Sequence, residues 1–106
     1  MFGEALRAGR LFGAPTRARI FENQVDPSVG AHTFLFFAQG NGFCPAGDLL
    51  SPRAVGHSGF TGTVLTIDPA YDLTVAVLTN SVFGDGKPGW LALRRRFLNA
   101  LAAALD

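Results

Sequence analysis

Three features of the sequence predict a single α+β domain. Residues 63–80 hold two β-branched, aliphatic runs across a short turn, Pro69-Ala70-Tyr71-Asp72. Residues 88–105 repeat apolar side chains at helical spacing. The chain has 106 residues, 48% of them hydrophobic and 16% charged, which suits one modest core. The expected architecture is an antiparallel sheet of three to four strands with a C-terminal helix packed on one face. Residues 1–106 then form one unit.

In chain order, residues 2–9 and 16–23 read as two short helices separated by Gly13, Ala14 and Pro15. Pro15 suits a first helical turn and Thr16 can cap it. Asp26-Pro27 marks a turn. Residues 32–39 are aromatic-rich and bounded by Gly30 and Gly40, which predicts a strand. Residues 40–53, rich in Gly, Asn, Pro, Asp and Ser, predict a long loop. The runs 63–68 and 73–80 predict an antiparallel hairpin. Leu65 and Ile67 share one of its faces, Val64 and Thr66 the other, so both faces need cover. The last helix, begun by Asp85 and Pro88, carries Trp90, Leu93, Phe97, Leu101 and Ala104 as its apolar stripe. Arg95 and Asn99 fall opposite. The two N-terminal helices are too short to cover a whole sheet face, which predicts an exposed apolar patch and self-association through it.

Charge and cysteine usage narrow the function classes. A net charge of +1 gives no electrostatic basis for nucleic-acid or membrane-surface binding. Arg94-Arg95-Arg96 spreads over about 200° of a helix and is expected to be a solvated face. Cys44 is the sole cysteine, so it forms no intrachain disulfide. No run approaches the roughly 18 apolar residues of a membrane span. Residues 1–7 lack a basic start followed by an apolar run, so they read as amphipathic helix rather than secretion signal. The residues fix no compartment.

The chemistry concentrates in Gly56-His57-Ser58-Gly59-Phe60-Thr61-Gly62-Thr63. A serine nucleophile elbow, Gly-x-Ser-x-Gly, fails there because Phe60 stands at the fifth position. Both histidines, His32 and His57, precede Ser58, and a strand pattern follows it. The two histidines lack short-range metal-ligand spacing, and no glycine-rich phosphate loop precedes a helix. No cofactor is expected. Two readings fit the segment. One is a strand edge lining a cleft, with Gly56 and Gly59 thinning the backbone, Ser58 donating a hydroxyl and His57 moving a proton. The other is ordinary glycine-rich strand entry, within a small non-catalytic α+β binding or scaffold domain.

Residues 40–80, GNGFCPAGDLLSPRAVGHSGFTGTVLTIDPAYDLTVAVLTN, resemble the C-terminal part of serine β-lactamase-like hydrolases. That group includes class C β-lactamases, penicillin-binding-protein-like enzymes and related esterases. His57, Ser58 and Gly59 match the Lys/His–Thr/Ser–Gly triplet on the strand beside the catalytic serine. IDPAYDLTVAVLTN resembles the strand-turn-strand ending in Leu-Thr-Asn, and FGEALRAGRLFGAPTRARIF resembles the upstream helical segment. The resemblance implies a partial β-lactamase-like domain acting on a small ester or amide. His57 and Ser58 would play supporting catalytic parts, with Gly59, Phe60 and Thr61 binding substrate and the Phe60 N–H as an oxyanion donor. The family's Ser-x-x-Lys is absent, since the only lysine, Lys87, follows Gly84 by three residues. Tyr-x-Asn is absent too, because the only tyrosine, Tyr71, precedes Asp72 and Leu73. The expectation is the C-terminal piece of a longer acyl-enzyme hydrolase, inactive by itself.

Overall fold

The computed structural model describes residues 2–26, 30–39, 41, 43–59, 62–79 and 89–105. Its elements are α1 (Phe2–Arg7), α2 (Ala14–Phe21), β1 (Phe37–Ala38), β2 (Val55–Ser58), β3 (Val64–Asp68), β4 (Leu73–Val77) and α3 (Trp90–Ala103). The strands form one antiparallel sheet in the order β1-β2-β3-β4. This is the α+β arrangement expected from the two aliphatic runs.

Register follows the alternation of the hairpin. Leu65 pairs with Ala76 and Ile67 with Thr74, while Val64 pairs with Val77 and Thr66 with Val75. The Leu65–Ile67 face is covered by α1 and α2, where Leu6, Ile20, Phe21, Ala38, Val55 and Ile67 form one core cluster. The Thr66 face is covered by the loop after β1. There the Thr66 hydroxyl donates to the Pro45 carbonyl, and Ala46, Leu50, Ala54 and Ala102 form a second cluster. α3 lies over this face through that loop, which it meets at Ala102, Leu98 and Asn99. Both faces of β3 are therefore largely buried, and the polar Thr66 and Asp68 on one of them are hydrogen-bonded within the interior.

The loop is held by a buried carboxylate. Asp68 accepts from the Ser51 N–H at 2.7 Å and the Ser51 hydroxyl at 2.6 Å, and from the Ala70 N–H at 3.0 Å. Each hydrogen bond to a charged group contributes about 1.5–3 kcal/mol, so this one side chain ties the loop to the hairpin turn.

Four local expectations are corrected. Residues 32–39 form only the two-residue β1, because the chain folds back: His32 bridges Phe37, and the Thr33 hydroxyl accepts from the Phe36 N–H at 3.0 Å. That side-chain bond offers the backbone an alternative to the ladder. The second helix starts at Ala14 with Gly13 at its N-cap and no side-chain cap, so Thr16 lies within the helix and not at its cap. The buried row of α3 is Arg94, Leu98 and Ala102, leaving Leu93 58% and Phe97 48% exposed. Asp48 meets the helix beside this row. It is gripped by both Arg95 and Asn99, one turn apart on α3, with the neighbouring 94/98/102 row against the loop. Consequently Arg94, expected in solvent, is buried at 8% exposure. Asp85 and Pro88 lie outside the described residues.

Candidate functional site

β2 presents His57 and Ser58 at its C-terminal end, next to β3 through the pairs His57–Leu65 and Ser58–Val64. On its other side β1 stops at Phe37, opposite Gly56. Among the described residues, no strand flanks His57 or Ser58 on that side. A strand edge left this way keeps backbone donors and acceptors available to another chain or a ligand. The His57 side chain is exposed and Ser58 is half-buried.

Gly56 is required by close approach. A Cβ there would lie 2.7 Å from the Leu65 carbonyl oxygen and 2.8 Å from Pro45 Cγ. At Gly59 a Cβ would collide with the Thr63 hydroxyl. The Gly59 N–H donates to the Thr63 carbonyl at 2.8 Å, and the Gly62 N–H donates to the Gly59 carbonyl at 3.0 Å. The chain thus turns tightly just beyond Ser58, fixing where β2 ends.

Successive residues of a strand point to opposite faces. His57 shares the face of Leu65 and Ser58 that of Val64, so the imidazole and the hydroxyl leave β2 on opposite sides. His57 Nδ1 lies 2.9 Å from the Ser58 carbonyl oxygen. A carbonyl only accepts, which places the proton on Nδ1 and leaves the Nε2 lone pair free to accept one. The ring stacks on Phe37, with centroids 4.9 Å apart and planes 20° apart. Phe37 is in turn met edge-on by His32 at 5.0 Å, and Phe43 lies tilted against it at 5.9 Å.

Phe37, which stacks on His57, is not singled out by the sequence. The aromatic density of residues 32–39 is the available signal, and by itself it reads as strand formation. Phe60 and Thr61 lie outside the described residues. Among the described residues, no group of three His, Cys, Asp or Glu side chains could hold a metal ion. No helix among them is long and apolar enough to cross a membrane.

Comparison with known proteins agrees with this architecture. An N-acetylmuramyl-L-alanine amidase of Bacillus subtilis is 63% identical over 30 residues, 28% of this chain and 7% of that protein. An Escherichia coli protein described as a D-alanyl-D-alanine carboxypeptidase is 50% identical over 34 residues, 32% of this chain and 8% of that protein. The fold matches a β-lactamase from Mycobacterium bovis with a TM-score of 0.78 at 23% identity, over 98% of this chain and 42% of that one. The chain thus spans less than half the length of the solved protein it matches. The profile of the family Beta-lactamase matches residues 2–97, and the chain belongs to that family.

Proposed function

We propose that the β2 end, His57-Ser58-Gly59 with the following turn, is the acyl-cradling wall of a serine hydrolase that cleaves a small ester or amide. The observation that carries this reading is the uncovered strand edge, thinned by glycines, in a chain of the β-lactamase family. His57, with its proton on Nδ1, offers Nε2 to a proton moving between substrate and nucleophile. Ser58 supplies a hydroxyl donor from the other side of the strand. Gly59, Phe60 and Thr61 bind the acyl group, and the Phe60 N–H is one donor to the developing oxyanion.

The nucleophile is supplied by polypeptide outside these 106 residues, because Ser-x-x-Lys and Tyr-x-Asn are both missing from them. Loss of a serine nucleophile alone removes about a millionfold of rate in a serine hydrolase. The 106-residue chain is therefore inactive by itself while still holding an acyl group weakly. NMR titration with phenyl acetate, a neutral ester, is expected to shift the amides of residues 57–63. Nitrocefin and p-nitrophenyl acetate are expected to hydrolyse at the buffer rate. Turnover that disappears in Ser58→Ala, or an unperturbed 57–63 segment at saturating ester, overturns the proposal.

A further inference from the structure

A cavity of about 790 Å³ lies between the loop after β1 and α3, and its chemistry differs from that of the β2 edge. Arg94 lines it while being only 8% exposed. The side chain makes no hydrogen bond or ion pair with any described residue. Among the described residues of the lining Asp48 is the one acidic side chain, and it is already held by Arg95 at 2.9 Å and Asn99 at 2.9 Å. Cys44 sits beside Arg94, but burial pushes its thiol up to about 11, so at neutral pH it carries no charge to offset the guanidinium. Arg96 also lines the cavity, so among the described residues three cations face a single carboxylate there. A cation with so little exposure favours an anionic partner, and none of the described residues supplies one.

We infer that this cavity binds a small carboxylate, whose oxygens pair with the Arg94 guanidinium and whose hydrocarbon body lies against Phe43, Leu91 and Leu98. The planar fork of an arginine matches the two oxygens of a carboxylate. Phe43 is 69% exposed and Leu91 63% exposed, and both border the same space. An anion with an apolar body covers them, whereas a bare phosphate does not. The inference stands on Arg94 and its surroundings, independent of any reaction at His57.

The test is calorimetric titration of the full chain with sodium benzoate and with inorganic phosphate, at neutral pH and low salt. Benzoate is expected to bind saturably and more tightly than phosphate. In Arg94→Met its affinity is expected to fall on the order of tenfold or more. Affinity is expected to be unchanged in Arg53→Gln, which alters an exposed arginine outside the cavity. Methionine keeps the length of the side chain without an uncompensated charge, so Arg94→Met is expected to fold, as its thermal melt will show. Benzoate is expected to raise the melting temperature of the wild-type chain and not that of the variant. Equal benzoate affinity in the two, no saturable binding to the folded wild type, or a preference for phosphate overturns the inference.

Discussion

The imidazole of His57 is held from two directions, by the Ser58 carbonyl at Nδ1 and by the face of Phe37. The first contact selects the tautomer and the second limits rotation of the ring. An aromatic pair contributes about 0.5–1.5 kcal/mol beyond its buried area. Phe37→Ala also removes the contacts with His32 and Phe43, so a loss of about 2 kcal/mol is expected. Urea denaturation measures that loss, and the His57 ring resonances should broaden or average in the variant. A ring environment unchanged by Phe37→Ala would mean that the carbonyl bond alone orients it. Gly56 is constrained differently, since the Leu65 carbonyl and the Pro45 ring occupy the space a side chain would need.

Two ion-pair clamps fix the helices at either end of the chain. On α1, Glu4 accepts from Arg7 and from the Thr74 hydroxyl at 3.0 Å, and Arg7 reaches Asp72 at 2.8 Å in the β3–β4 turn. On α3, Asp48 accepts from Arg95 and Asn99. Hydrogen bonds from Arg7, then Thr74, hold the Glu4 carboxyl well below its ordinary 4.5, at about 2. Arg95, then Asn99, hold Asp48 below its ordinary 3.8, at about 2. A carboxyl whose value is depressed by folding contributes stability that is fully present above the unfolded value and lost as pH falls through the folded one. The melting temperature is therefore expected to hold from neutrality down to about 4.5 and to fall between there and about 2. The double variant Glu4→Gln, Asp48→Asn should flatten that acid limb. The Asp48–Arg95 pair is solvent-exposed and the Glu4–Arg7 pair half-buried, so salt should weaken the first more than the second. An acid limb identical in the wild type and the double variant would show that other groups set it.

Across the whole molecule, apolar surface remains open on α3 and beside β4. Leu93 and Phe97 lie on the outer side of α3, and Leu78, just past β4, is 85% exposed. Among the described residues, the outer edge of β4 has no partner strand. An unpaired edge next to exposed apolar side chains favours association. The 106-residue chain is expected to bind a hydrophobic dye such as ANS and to sediment as larger species with rising concentration. The double variant Leu93→Glu, Phe97→Glu should reduce both effects. A wild-type chain that stays monomeric at high concentration and leaves the dye dark would show that this face needs no cover.

The sequence by itself determined the α+β class, the hairpin with its turn and register faces, and the terminal helix. These follow from periodicity and turn chemistry, which depend on residues close along the chain. Even the opposite facing of His57 and Ser58 was implicit there, because it follows from strand alternation. Tertiary structure decided what depends on distant residues. It set the rotation of α3, because the loop on which Leu98 and Ala102 pack lies far away along the chain, and with it the burial of Arg94. It shortened β1, because the backbone found closer partners in the Thr33 hydroxyl and in the bridge from His32 to Phe37. Helical spacing gives the angle between two stripes on a helix, but which stripe turns inward is settled by the surface it meets.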